Sequence, residues 1–214
     1  MKVSDQMFMT IIIATFLVFG AGMYMVGSSG HSSSSQNPAA TSYNLTLVIT
    51  HKNYYNSTIT AQPSYYVLEG NKLVSSANIY VPSYATIHLT IIDYDNGNAT
   101  VPSQYLSALG TQNNSIFVVN QTNAHSTGTN TSLGSFTHQI SSASIAHTFT
   151  VFNKNNQEIL NVPSPYDSTV YATFTTQGAG YFTWQCEADC GSGAGGWGGA
   201  MSTPGWMTGS FIVQ

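Results

Sequence analysis

The residues whose side chains could do chemistry lie mainly in the last third of the sequence. His147 lies in SIAHTFTVF, Cys186 and Cys190 form a C-x-x-x-C pair in YFTWQCEADCG, and Met207 lies in PGWMTGSFIV. Imidazole, thiolate and thioether groups are the ligands that a soft metal such as copper prefers. Each residue also has an ordinary alternative role, because two cysteines outside a cell often form a disulfide and a methionine often packs in a core. The conjunction of all four residues favours a metal site.

Short segments with a β-strand pattern must position these residues. In ATIHLTIIDYD the side chains of Ile87, Leu89 and Ile91 alternate with polar ones, which places them on one face and leaves His88 on the other, exposed face. Similar segments are YNLTLVITH, AHTFTVF, STVYATFTT, GYFTWQC and TGSFIVQ. Short strands separated by turn signals predict an all-β fold, an antiparallel β-sandwich, over residues 43–214. A long polar insertion spans residues 104–144 and contains His125 and His138.

The N-terminal region has a different composition. Met7 to Val26 contains no charged residue, and about twenty residues of helix match a hydrocarbon core roughly 30 Å thick. A cleaved signal peptide is the alternative, but the apolar run is long and no clear small-residue cleavage site follows. We therefore expect a membrane anchor over residues 1–27, a Gly/Ser-rich tether over residues 28–42 and an extracytoplasmic domain over residues 43–214.

Composition excludes some function classes. Charged residues are only 6% of the chain, against about 25% in typical soluble proteins, and there is no arginine. A basic nucleic-acid-binding surface is therefore excluded. No acid–base, nucleophilic or phosphate-binding motif is recognisable, so we assign no catalytic residue. Six N-x-[ST] sequons follow the predicted anchor, which mildly supports an extracytoplasmic glycoprotein at the cell membrane; they begin at Asn44, Asn56, Asn98, Asn113, Asn120 and Asn130.

The segment from about Ser144 to Gln214 resembles the copper domain of haem–copper oxidase subunit II with a single N-terminal membrane helix. The resemblance rests on IAHTFTV, DSTVYATFTTQGAGYFTWQCEADCG and MTGSFIV. It implies a cupredoxin-like Greek-key β-sandwich in which Cys186 and Cys190 supply thiolates to copper, mononuclear or binuclear. The resemblance further implies His147 as a terminal ligand, Met207 as an axial sulfur and the main-chain carbonyl of Ala188 as a ligand.

The sequence departs from the family's pattern at one ligand. The histidine that the family has four residues after the second cysteine is replaced by Ala194. Trp206 stands where mononuclear copper proteins often have a histidine, and an indole N–H cannot ligate a metal. In one account another residue completes the site, with Met201, His138 and His125 as candidates.

Two further accounts remain open. The chain can be a copperless structural subunit II of a quinol-type terminal oxidase, with a Cys186–Cys190 disulfide. It can also be a surface glycoprotein whose resemblance is confined to the fold. The account in which another residue completes the copper site predicts a membrane-anchored electron-transfer protein of a respiratory chain. Its partners are oxidase subunits or a small redox protein.

Overall fold

The computed structural model describes residues 41–52, 54, 62–120, 134–190 and 196–214. Within these ranges no helix is long and apolar enough to cross a membrane. The predicted anchor, the tether up to residue 40 and His125 lie outside the described residues.

The described residues form strands with three short helical turns. The strands are β1 Thr41–Thr50, β2 Ser64–Glu69, β3 Lys72–Ser75, β4 Asn78–Val81, β5 Ala85–Asp93, β6 Ile116–Asn120, β7 Ser135–Thr137, β8 Ile145–Phe152, β9 Glu158–Pro165, β10 Ser168–Thr175, β11 Gly180–Gln185 and β12 Thr208–Val213. The helical turns are Ser103–Leu106, Gln112–Asn114 and Gly196–Ala200. The all-β prediction is confirmed for the part of the chain that the structure describes.

The strands make two sheets that share one core. The larger sheet has the order β3-β2-β1-β5-β10-β6-β7, and the smaller sheet has the order β4-β12-β11-β8-β9. Most pairings are antiparallel, as predicted, but the prediction does not hold at two places, because β1 pairs with β5 in parallel and β4 pairs with β12 in parallel. Three strands separate β1 from β5, so the chain can return to the same end of the sheet and run in the same direction.

Strand β5 shows how sequence periodicity builds the core. Ile87, Leu89 and Ile91 are buried, whereas His88 is exposed on the opposite face, as the alternating pattern predicts. In β11, Trp184 is fully buried and its indole N–H donates to the Ser76 carbonyl over 2.9 Å. Ile87, Leu89 and Ile91 of the larger sheet and Trp184 of the smaller sheet all belong to one buried core.

Aromatic packing in the core also supports the segment that carries His147. The rings of Tyr65 and Trp184 pack edge to face with centroids 5.2 Å apart. The Tyr65 hydroxyl donates to the carbonyl of Thr148 over 3.0 Å. Strand β8 is therefore fixed at the residue that follows His147.

Candidate metal centre

Three of the predicted ligands meet at one end of the smaller sheet. His147 is the third residue of β8, Cys186 directly follows β11, and Cys190 lies four residues further along the loop. β8 and β11 are hydrogen-bonded neighbours, and this pairing brings the histidine and the cysteine loop to the same place. The ligand atoms of the three residues all lie within 4.8 Å of one another, and all three side chains are buried.

The distances within the cluster are short. Nδ1 of His147 lies 3.0 Å from Sγ of Cys190 and 3.8 Å from Sγ of Cys186. The two sulfur atoms are 3.2 Å apart and both thiols are free. A separation of this size is longer than the roughly 2.05 Å of a disulfide bond. The two sulfur atoms and the ring nitrogen therefore form a compact set of three donors.

Main-chain hydrogen bonds hold the cysteine loop against the neighbouring strands. The N–H of Cys186 donates to the Met207 carbonyl over 2.8 Å, and the N–H of Glu187 donates to the Thr148 hydroxyl over 2.8 Å. The N–H of Thr148 points to Sγ of Cys186 at 3.3 Å. Because Thr148 lies on β8 and Met207 immediately precedes β12, Cys186 is held in position between these two strands before any metal binds.

The carbonyl of Ala188 is already used within this loop. It accepts the N–H of Cys190 over 2.8 Å, and Ala188 is buried. A carbonyl oxygen has a second lone pair, so the predicted ligand role is compatible with this contact. The loop closure nevertheless gives the Ala188 carbonyl a structural role that the sequence did not indicate.

Asp95 completes the surroundings of His147. Its Oδ2 lies 3.1 Å from Nε2 of His147, on the side of the ring away from the sulfur atoms, and its side chain is 20% exposed. Ligating histidines commonly donate their other ring N–H to a carboxylate, which fixes the ring orientation. With Nε2–H directed to Asp95, Nδ1 is the nitrogen that faces Cys186 and Cys190.

A second carboxylate, that of Asp93, lies close behind Asp95. Asp93 is fully buried, accepts a hydrogen bond from the Ser164 hydroxyl over 3.0 Å and accepts the N–H of Asp95 over 2.9 Å. Burial raises the pKa of Asp93 to about 7, although the nearby His147 opposes that shift. Neither carboxylate was predicted from the sequence as part of the site.

The buried groups of the cluster shift one another's pKa values in opposite directions. Burial alone would lower the pKa of His147, but the carboxylates of Asp93 and Asp95 and the sulfur of Cys186 raise it to about 10. Burial would raise the pKa of Cys186, but hydrogen bonds from Cys190 and His147 hold it well below its usual range. Burial and the neighbouring Cys186 raise the pKa of Cys190. Cys186 is therefore the more acidic of the two thiols.

The other residues considered from the sequence as ligands, or in place of one, differ in burial and position. Met207 is fully buried next to the start of β12, and Met201 is also buried. His138 is exposed and donates from Nδ1 to the Asn114 carbonyl over 2.8 Å, so it is outside the cluster of His147 and the cysteines. Trp206 is buried in the core.

The donor set fits copper. Two thiol sulfurs and one imidazole nitrogen, buried and converging within 4.8 Å, are the soft and borderline donors that copper selects. His147 and the two cysteines would hold the ion, and Asp95 would orient the imidazole.

Comparisons with known proteins give distant structural likenesses only. No protein-family profile and no curated protein matches the sequence. The structure is similar to rusticyanin from Thiobacillus ferrooxidans with a TM-score of 0.38 and 14% identity, covering 82% of this chain and 79% of that one. For a multicopper oxidase from Pseudomonas thermotolerans the TM-score is 0.37 and the identity 11%, covering 82% of this chain and 30% of the other. For auracyanin B the TM-score is 0.30 and the identity 9%, covering 80% of this chain and 88% of the other. Because these TM-scores lie below 0.5, the likenesses do not assign a family.

Proposed function

We propose that this chain is a membrane-anchored, cupredoxin-like electron-transfer protein that binds copper through Cys186 and Cys190. The observation that carries the proposal is the buried cluster of the two sulfurs with Nδ1 of His147, oriented by Asp95. The bound ion would supply a one-electron centre that cycles between Cu(I) and Cu(II). The chain's own residues hold the donors in place, exclude water from the sulfurs and fix the ring of His147.

The donors favour a single copper ion. His147 is the one imidazole that lies with the two sulfurs among the described residues. Residues 191–195, whose sequence is GSGAG, contain no histidine, cysteine or methionine that a second ion would need. The buried sulfur of Met207 is the predicted axial donor to that ion.

Copper loading of the reduced domain tests the proposal. Thiolate-to-Cu(II) charge transfer gives intense visible bands, so we expect a coloured protein with one copper per chain by metal analysis. Cys186→Ser and His147→Ala should each abolish or strongly shift the bands, because each removes a donor. His138→Ala and His88→Ala are matched controls, since both histidines are exposed and outside the cluster. A protein that stays colourless and retains no copper by metal analysis after anaerobic loading with Cu(II) contradicts the copper function.

The 3.2 Å separation of the sulfurs keeps one alternative function in view. A small movement would join Cys186 and Cys190 in a disulfide, as the copperless structural subunit requires. Mass spectrometry of the protein purified from its own cells distinguishes the two functions, because one pair of sulfurs cannot form a disulfide and bind copper as thiolates. A disulfide-bonded protein that co-purifies with oxidase subunits supports the alternative.

The cell-membrane location and the redox partners belong to the same proposal. The apolar run Met7 to Val26 and the Gly/Ser-rich segment after it support an anchored domain outside the cytoplasm. Retention in the membrane pellet after an alkaline wash is the expected result. A mature N-terminus beyond Val26 contradicts the anchor while leaving the copper site unaffected.

A further inference from the structure

An aromatic shelf lies on the outer face of the larger sheet and shares no residue with the metal centre. It consists of Phe117 on β6, Phe136 on β7 and Tyr171 on β10, which are direct cross-strand partners in neighbouring strands. The ring centroids of Phe117 and Phe136 are 4.9 Å apart, and those of Phe117 and Tyr171 are 6.3 Å apart. Phe136 is 77% exposed and Tyr171 is 46% exposed. An exposed cluster of large apolar side chains commonly marks a surface that binds a partner or a ligand.

The shelf forms one side of a cleft of about 350 Å3, and a tight turn forms the other side. Asn113 lines the cleft from this turn with a φ of 58°, and Asn114 follows with a φ of 48°. The turn is fixed because the N–H of Gly110 donates to Oδ1 of Asn114 over 3.0 Å, and His138 donates to the Asn114 carbonyl over 2.8 Å. The Asn114 side chain is therefore engaged within the turn. The Asn113 side chain is exposed and has no hydrogen bond to the residues that the structure describes.

Asn113 also begins the sequon Asn113-Asn114-Ser115. The sequon asparagines Asn44, Asn98 and Asn120 are likewise exposed, but none of them lines this cleft. An acceptor asparagine in a surface turn is the usual setting of N-glycosylation. Among the described sequon asparagines, Asn113 is thus the one that lines the same cleft as the aromatic shelf.

We propose that Asn113 carries an N-linked glycan whose first sugar packs on the aromatic shelf. The inference rests on the extracytoplasmic location in the proposed function, because the donor of such glycans is used outside the cytoplasm. In the transfer, Nδ2 of Asn113 forms a bond to C1 of the first sugar and loses one proton. A lipid-linked oligosaccharide diphosphate is the donor, and its lipid diphosphate departs with the electron pair of the broken C1–O bond.

The chemistry of the cleft suits a sugar ring. One face of a pyranose presents C–H groups, which pack on aromatic rings, while its hydroxyl groups need polar partners at the edge. The cleft supplies both, since the amide of Gln112 and the hydroxyl of Thr173 line it beside the shelf. No residue lining the cleft is charged, which matches an uncharged ligand. The volume is at the small end of the roughly 300–1,000 Å3 range of ligand pockets, as one or two sugar units require.

Glycopeptide mass spectrometry of the full chain from its own cells tests the modification. We expect glycan mass on the peptide that contains Asn113. Ser115→Ala should remove that mass, and Ser115→Thr should retain it because the sequon is kept. Asn98→Gln is the matched control and should leave the Asn113 peptide unchanged. An unmodified Asn113 overturns the proposal, whether or not the protein binds copper.

A double-mutant cycle tests the packing of the sugar. Asn113→Gln should lower the Tm by about 2–4 °C, a shift typical of one lost contact in a domain of this size. In a Phe136→Ser background the same change should lower Tm by far less, because the shelf has been removed. Any backbone strain from glutamine at the positive φ occurs in both backgrounds and cancels.

Tyr181→Ser provides the control background, because Tyr181 is 80% exposed on β11 in the other sheet. There the full effect of Asn113→Gln should persist. Equal effects of Asn113→Gln in the Phe136→Ser and parent proteins would mean that the sugar does not contact the shelf, and would overturn the proposal. The visible spectrum of the copper-loaded protein should be the same in every variant, so failure of this inference is distinguishable from failure of the copper function.

Discussion

Replacing Asp95 by asparagine should weaken copper binding without changing the ligands. Oδ1 of Asp95 accepts the N–H of Gly97 over 3.0 Å, and an asparagine carbonyl oxygen can keep that bond. The amide nitrogen would then face Nε2–H of His147, so a favourable charged contact at 3.1 Å becomes a contact between two donors. The ring of His147 would lose its orienting partner while its Nδ1 remained beside the sulfurs.

The magnitude follows from the charge that is lost. Two unit charges about 4 Å apart interact by about 4 kcal/mol at an effective dielectric constant of 20, which is an upper bound here. The Asp95 side chain is 20% exposed and Asp93 supplies a second negative charge nearby, so both solvent and Asp93 reduce the loss. Carboxylate partners of ligating histidines typically change metal affinity by about 10–100-fold. This corresponds to about 1.4–2.7 kcal/mol, and we expect Asp95→Asn to fall within that range.

Competition between the reduced protein and a Cu(I) chelator measures this change. The visible bands of the Cu(II) form should keep nearly the same wavelengths, since all donors are retained. Asp189→Asn is the matched control, because Asp189 is exposed beside Cys190 and its replacement removes the same charge without touching His147. An affinity within about threefold of the parent in Asp95→Asn, or an equal loss in Asp189→Asn, would refute the orienting role of Asp95.

Three further predictions concern the core and the buried carboxyl group. Met207→Leu should leave the unfolding free energy within about 1.5 kcal/mol of the parent, because the volume is conserved, but should shift the visible bands if the sulfur is the axial ligand. The raised pKa of Asp93 contributes stability that is complete below 3.8 and is lost as pH rises through about 7. Urea unfolding of the reduced, metal-free protein should therefore show stability falling by up to about 4 kcal/mol over that window, and Asp93→Asn should flatten the profile. Trp184→Phe should lower the unfolding free energy by about 1–3 kcal/mol in urea titrations, because the buried Ser76 carbonyl loses its donor; an unchanged midpoint contradicts this.

The sequence predicted the features that depend on local pattern. The alternation around His88 assigned Ile87, Leu89 and Ile91 to the core and left the histidine exposed, because a strand places successive side chains on opposite faces. The meeting of His147 with the cysteines was implied by the resemblance of segment 144–214 to a copper domain, and it arises because β8 and β11 pair directly.

The features that depend on distant segments were not predictable from the sequence. Asp95 lies 52 residues before His147 in the chain, in a polar turn that follows a strand of the other sheet. Its contact with the imidazole exists only because the two sheets pack on each other, and no local spacing records that. The parallel pairing of β1 with β5 was missed for the same reason, since alternation specifies the buried face of a strand but not the direction of its neighbour.

The contact between His147 and Asp95 links the two sheets at this end of the domain. His147 belongs to β8 of the smaller sheet, and Asp95 follows β5 of the larger sheet. An ion held by His147, Cys186 and Cys190 would fix the imidazole ring and so stabilise its contact with Asp95. Opening the sheets would then require release of the metal or of Asp95, so bound copper should slow amide hydrogen exchange in β5 as well as in β8.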